Sequence, residues 1–241
     1  MGHKILTATK KRIQAKHLNN LFRREQRLST RIKICGITRA EDLAAATDAG
    51  ADALGFVFYP PSKRCLLLEK ARELGLQIPV FVTAVALFVN PDRQQVLEVQ
   101  RSLRPSLLQF HGDESPDFCR SFDLPYLKAF RVGAPGMETP EGLAQTCFSY
   151  PDAAGWLFDS YSPAYGGSGQ GFDIGLLEKS LALNTDPRPI VLSGGLDSAN
   201  VSSFIRRIQP WAVDVSSGVE SSPGIKSHDK IQAFVHAVKT A

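Results

Sequence analysis

From Arg31 onward, short runs of β-branched and aromatic residues alternate with stretches whose apolar residues recur at helical spacing. Eight runs read as strands, at 32–35, 53–58, 84–89, 107–110, 126–130, 155–159, 189–192 and 212–215. They are mostly apolar without strict alternation, the pattern of strands covered on both faces. Between them, Val201, Phe204, Ile205 and Ile208, and again Ile231, Phe234, Val235 and Val238, recur at i, i+3, i+4 and i+7 and predict core-facing helix stripes. Thr38 with Glu41 reads as a capping box, and Ser115-Pro116 as an N-cap followed by proline at the first helical position.

Eight βα units over residues 31–241 predict an α/β fold, a single (β/α)8 TIM barrel with eight parallel strands; a doubly wound sheet is the competing architecture. The glycines favour the barrel. The turn after the first strand is Cys35-Gly36-Ile37-Thr38, not G-x-G-x-x-G, and no G-x-x-x-x-G-K-[ST] loop occurs. Glycine-rich turns instead follow the last three strands, at 165–171, 193–195 and 216–218.

Charge then separates one segment from the rest. Residues 1–30 hold 8 Lys/Arg against the single acid Glu25, leaving 20 basic and 23 acidic residues in 31–241, a net of −3. The sequence pI of about 8.9 therefore belongs to a basic N-terminal extension, and the body gives no reason to expect a nucleic-acid partner. Leu18, Leu21 and Phe22 stand at helical spacing within that extension. It is serine-poor for a transit peptide, lacks a secretory apolar core, and is expected to be disordered or to arise from an upstream start codon. The longest apolar run, 80–89, is about half of the ~20 residues that span a bilayer, so no membrane partner is expected. Cys35, Cys65, Cys119 and Cys147 form no C-x-x-C pair, which points to a reducing compartment, the cytoplasm.

Barrel enzymes recruit their chemistry from the C-terminal ends of strands. Cys35 ends the first strand and Asp159 the sixth; across the mouth they could act as base and acid, or remain an inert core thiol and a turn carboxylate. Arg64, in the proline-stiffened loop 59–64, has a planar fork suited to a carboxylate or phosphate, although a lone loop arginine is more often solvated. His111 could polarise a substrate or hydrogen-bond a loop. The turns containing Gly194 and Gly195, and Ser217 and Gly218, lie where barrel enzymes often hold phosphate. Tyr165 to Gly171 read as a lid beside Asp159.

Several strings, in order, resemble the phosphoribosylanthranilate isomerase family: Lys33-Ile34-Cys35-Gly36-Ile37-Thr38, Gly55-Phe56-Val57-Phe58-Tyr59-Pro60 with Ser62-Lys63-Arg64, and Leu108-Gln109-Phe110-His111-Gly112. Phe158-Asp159-Ser160, Tyr165-Gly166-Gly167-Ser168-Gly169, Leu192-Ser193-Gly194-Gly195-Leu196 and Asp214-Val215-Ser216-Ser217-Gly218-Val219-Glu220 continue the likeness. It covers the chain from about residue 31 to the end. Phe110 and Cys65 depart from the family's usual aliphatic and aromatic residues, and residues 1–29 have no family counterpart.

The resemblance implies a (βα)8 barrel and an Amadori rearrangement of N-(5-phosphoribosyl)anthranilate to 1-(2-carboxyphenylamino)-1-deoxyribulose 5-phosphate in tryptophan biosynthesis, without cofactor or metal. It implies Asp159 as general acid, Cys35 as general base, Arg64 on the anthranilate carboxylate, and the two glycine turns on the phosphate. A thiol base needs a lowered pKa or a strong local acceptor geometry; nearby positive charge is the usual means, and Lys33 and Arg64 are the candidates. The expected partner is the small-molecule phosphoribosyl substrate, and the expected state a monomer or homodimer. The histidine-pathway barrel isomerase is less similar, since its first strand ends in aspartate; indoleglycerol phosphate synthase relies on lysine and glutamate absent at matching positions. A non-catalytic phosphosugar-binding barrel, or a basic tail acting as a tether, would not require Cys35, Asp159 and Arg64 together.

Overall fold

A computed structural model describes residues 29–161 and 173–241. Eight parallel strands pair in chain order: β1 (Arg31–Cys35), β2 (Ala53–Val57), β3 (Thr83–Phe88), β4 (Leu107–Phe110), β5 (Tyr126–Val132), β6 (Gly155–Ser160), β7 (Ile190–Leu192) and β8 (Ala212–Val215). The last strand pairs back onto the first, with Lys33 opposite Asp214, and closes the barrel. The (β/α)8 reading therefore holds over the doubly wound sheet, which has open edges. The expected lid at 165–171 and the extension's Leu18, Leu21 and Phe22 lie outside the described residues.

Helices α1 (Ala40–Ala49), α2 (Leu68–Gly75), α3 (Arg93–Leu103), α4 (Pro116–Cys119), α5 (Pro140–Phe148), α6 (Ile174–Leu183), α7 (Val201–Ile208) and α8 (His228–Lys239) follow the successive strands. In α8, Ile231, Phe234, Val235 and Val238 are all buried, whereas α7 buries Val201 and Ile205 and leaves Phe204 and Ile208 half-buried. Emptying the fully buried Phe234 site by alanine would cost about 3–5 kcal/mol. Ser115 caps α4 as expected, its side chain accepting from Phe118 N at 3.2 Å ahead of Pro116.

The capping box at Thr38 and Glu41 does not form. The N-cap of α1 is Arg39, and the Thr38 hydroxyl donates instead to the Gly224 carbonyl at 2.5 Å. A contact 186 residues away thus replaces the local one. Its partner belongs to an element the periodicity did not reveal: after β8 come a 3-10 turn (Ser217–Val219) and a hairpin of β9 (Glu220–Ser222) and β10 (Ile225–Lys226), which turns at Pro223-Gly224.

Successive strand residues face opposite ways, and this sorts the core. On β1, Ile32 and Ile34 join the large cluster between sheet and helices, which leaves Lys33 and Cys35 pointing into the barrel. By the same alternation Asp214 on β8, Gln109 on β4 and Asp159 on β6 point inward, because Val213 and Val215, Leu108 and Phe110, and Trp156 and Phe158 point out. Cys35, Val57, Leu87 and Val89 form a separate apolar cluster inside the barrel.

Candidate active site

Two polar clusters occupy the C-terminal end of the barrel. The first surrounds Cys35, which is 5% exposed. Two residues earlier on the same face, Lys33 Nζ lies 2.9 Å from both carboxylate oxygens of Asp214, and both side chains are buried. Burial pushes the Cys35 thiol up, the Lys33 ammonium pulls it down, Asp214 pushes it up again, and the result is above the ordinary 9.0. The expected lowering of this thiol is therefore corrected. Of the two candidate cations Lys33 does act on it in the expected direction, and Lys226, which the sequence did not suggest, adds to it, but desolvation of a thiolate at this depth outweighs them. Lys33 itself is held above its usual value: burial works against its charge, and Asp214 and Cys35 together more than offset that.

Arg64 is brought into this cluster rather than left in solvent. Its Nε and Nη2 donate to the two carboxylate oxygens of Glu220, each at 2.7 Å, a bidentate pair. Gly36 makes the approach possible. At φ +80°, a Cβ there would lie 2.5 Å from Arg64 Cδ, so any side chain at this position would displace the arginine stem. Lys226, with a fully buried side chain, donates to Glu220 Oε1 at 2.9 Å, to the Cys35 carbonyl at 2.5 Å and to the Ser216 carbonyl at 3.1 Å. The Glu220 carboxyl, which burial alone would raise, is held below its usual range by Arg64 and Lys226.

Among the described residues the second cluster is sparser. Asp159 Oδ1 accepts from Ser160 N at 2.7 Å, and Oδ2 lies 3.1 Å from His111 Nε2. That contact has an ion pair's distance but not a hydrogen bond's alignment, so His111 Nε2 makes no hydrogen bond among the described residues. Gln109 Nε2 sits 3.1 Å from His111 Nδ1 and orients the ring from below. His111 thus contacts the predicted acid instead of a loop.

The glycine turns meet the acid side. Gly194 has φ +86°, and a Cβ on it would come within 2.5 Å of Ser160 N and 2.8 Å of Asp159 Oδ1. Gly218 packs directly on the Leu196 carbonyl, so the turns after β6, β7 and β8 converge. Gly195 also lies in the left-handed region, at φ +67°. Ser217 opens the 3-10 turn, while the Ser216 hydroxyl is already engaged with the Cys35 carbonyl at 3.0 Å.

The model of the family described as N-(5'-phosphoribosyl)anthranilate (PRA) isomerase matches residues 32–237. The chain belongs to this family. It is an enzyme, an isomerase of the aldose–ketose type. N-(5'-phosphoribosyl)anthranilate isomerase of Bordetella parapertussis is 55% identical over 215 residues, 88% of this chain and 97% of that protein. Its counterpart from Dechloromonas aromatica is 50% identical over 214 residues, 89% of this chain and 98% of that protein. Among solved structures, phosphoribosyl anthranilate isomerase from Thermotoga maritima superposes with a TM-score of 0.78 at 39% identity, covering 88% of this chain and all of that one. A second, solved in complex with reduced 1-(o-carboxyphenylamino)-1-deoxyribulose 5-phosphate, has a TM-score of 0.75 at 36% identity, covering 88% of this chain and 100% of that one. A third T. maritima structure, at 36% identity over 88% of this chain and 100% of that one with a TM-score of 0.76, is of monomers generated from a dimeric enzyme.

Motif reading assigned no role to Asp214, Glu220 or Lys226 in this isomerase. Asp214 carries a signal, as an acid of inward parity one strand from Lys33 in the closed barrel. Glu220 and Lys226 flank Pro223-Gly224, a turn dipeptide whose hairpin could have been recognised. Their meeting with Arg64, 156 residues from Glu220, had no local signal at all.

Proposed function

We propose that this isomerase converts N-(5'-phosphoribosyl)anthranilate to 1-(2-carboxyphenylamino)-1-deoxyribulose 5-phosphate, in tryptophan biosynthesis, with Asp159 as general acid and Cys35 as general base. The observation that carries this is the inward placement of both side chains at the C-terminal ends of β1 and β6, each in a cluster of its own. Protonated Asp159 delivers its proton to the ribose ring oxygen as the C1–O bond breaks and the anthranilate nitrogen forms an iminium with C1. Cys35, in the thiolate fraction that the Lys33 ammonium favours against burial, then takes the C2 proton. The C2–H electrons flow into the iminium to give an enolamine, which tautomerises to the 2-ketone. The substrate's own nitrogen is the electron sink, so the step asks for no further co-reactant.

Arg64 is assigned to the anthranilate carboxylate, and Gly194, Gly195, Ser217 and Gly218 to the phosphate, where the convergent turns suit a bound anion. His111, in contact with Asp159 Oδ2, orients the acid toward the ring oxygen. Residues 31–241 form the catalytic domain, and residues 1–30 are an extension outside it. The four free thiols suit a reducing compartment, the cytoplasm. Val80 and Phe81, 91% and 98% exposed on the loop before β3 at the opposite end of the barrel, suit pairing with a second copy, and one relative is a dimeric enzyme. A sedimentation measurement at micromolar concentration decides between monomer and dimer.

The test is direct: phosphoribosylanthranilate, generated in situ, is mixed with purified protein and its fluorescence followed. Rapid loss of signal, with the ketose product identified by mass and NMR, is expected. An unchanged signal from folded protein would end the assignment.

A further inference from the structure

The cations and anion around Arg64 are arranged in a way that the acid–base pair does not require. Glu220 grips only one edge of the guanidinium, Nε and Nη2, and Nη1 has no partner among the described residues. The Arg64 side chain retains 15% of its exposure, whereas Glu220 and Lys226 retain 5% and 0%. The guanidinium is therefore fastened from the buried side, and its remaining edge is the one that a ligand can reach.

The fastening is itself anchored. Glu220 Oε1 is shared between Arg64 Nε, at 2.7 Å, and Lys226 Nζ, at 2.9 Å. The same ammonium holds the carbonyls of Cys35 and Ser216, at the ends of β1 and β8. Two cations and one anion leave this group with one net positive charge, which is the right sign for a carboxylate. A carboxylate competing with Glu220 for a free arginine would have to displace it, whereas one approaching Nη1 finds the fork already oriented and pays less ordering entropy.

We propose that Glu220 is a positioning residue for carboxylate recognition: it presents Arg64 by its free edge to the carboxylate of the aromatic substrate, with Lys226 tying Glu220 to the backbone that bears Cys35. The assignment rests on Arg64 binding that carboxylate, as proposed above. Glu220 touches no reacting atom in this scheme, so its loss weakens recognition of the carboxylate rather than proton transfer. The Gly36 gap through which the arginine passes and the hairpin that carries Glu220 serve the same end.

The experiment compares Glu220→Gln, Glu220→Asp and Arg64→Ala in the full-length enzyme. Three readouts are taken: the kcat and KM of the isomerisation, inhibition by reduced 1-(o-carboxyphenylamino)-1-deoxyribulose 5-phosphate, and inhibition by inorganic phosphate. Glu220→Gln keeps the shape but removes the charge that holds the fork. It is expected to raise KM and the inhibition constant of the carboxylate-bearing analogue about tenfold or more, with kcat changed less than about threefold and phosphate inhibition less than about twofold. Glu220→Asp, charged but shorter, should recover part of the loss. A merely structural role would weaken analogue and phosphate alike, and that result, or no change in either, overturns the proposal. Arg64→Ala separates the two levels: if it weakens the analogue while Glu220→Gln does not, the positioning role fails and the carboxylate assignment stands. If Arg64→Ala leaves the analogue unaffected, the carboxylate assignment fails and the role of Glu220 falls with it.

Discussion

The two sides of the barrel mouth are built on different principles. Around Cys35, strands β1 and β8, the loop after β2 and the β9–β10 hairpin contribute three cations and two anions in two groups, Lys33 with Asp214, and Arg64 and Lys226 with Glu220. Around Asp159, the neighbours among the described residues are one imidazole, the amide and hydroxyl of Ser160, and two glycine turns. A buried charge without its partner is costly, so the base side cannot lose one member without leaving another unpaired. Among the described residues the acid side holds no such buried ion pair of opposite formal charges beyond the His111 contact. Loss of a paired charge near Cys35 should therefore cost both stability and activity, and changes near Asp159 activity almost alone.

The sharpest break is at the two proposed proton-transfer groups. Cys35→Ser and Asp159→Asn should each lower kcat by about 10²- to 10⁴-fold or more, with thermal midpoints close to the parent's. Near-normal turnover in either variant would move the corresponding role to another residue. The thiol can also be followed without substrate: its alkylation by iodoacetamide should rise with pH around a midpoint above the ordinary 9.0, because burial holds it protonated. Cys119, pushed up to about 12 by burial, should react far more slowly at any accessible pH.

Lys33→Met tests the coupling of stability to chemistry on the base side. It leaves Asp214 buried and unpaired, a loss of about 3–5 kcal/mol in denaturant unfolding. It also removes the main cation acting on Cys35, so the alkylation midpoint should climb further. Stability loss without a shifted midpoint would separate Lys33 from the thiol. By contrast, His111→Ala should leave the unfolding free energy within about 1–2 kcal/mol while lowering kcat.

Arg64→Ala should lower kcat/KM by about 2–4 kcal/mol in transition-state terms, and Arg64→Lys should recover only part, since an ammonium cannot replace the planar fork. A smaller effect separates the two sides by pH. Glu220 has a folded pKa below its ordinary 4.5, so its contribution to stability is complete above that value and is lost as pH falls through the folded value. The gap in thermal midpoint between the parent and Glu220→Gln should therefore narrow below about pH 4.5. A gap that stayed constant down to pH 3 would mean that the charge contributes nothing. The smallest effect is expected outside both clusters: removing residues 1–28, which precede the family match at 32–237, should leave kcat/KM and thermal midpoint unchanged.

The amino-acid order by itself determined the eight strands, and at every strand the expected bounds fall within two residues of those observed. It also determined, through the two-residue period, that Lys33 and Cys35 share a face and that Asp159 ends its strand pointing inward. Strand periodicity is a local property, and local sterics and burial enforce it. Only closure of the barrel decided what those side chains meet. Lys33 and Asp214 are 181 residues apart, and they pair because β8 returns to β1 in one register. Thr38 faced a similar choice between a partner three residues away and one 186 residues away on the hairpin after β8, and the hairpin won it. The ionisation of Cys35 was decided in the same way, because a count of nearby cations contains no measure of depth. Desolvation depends on the atoms packed around the sulfur, and those come from strands that no window along the chain contains together.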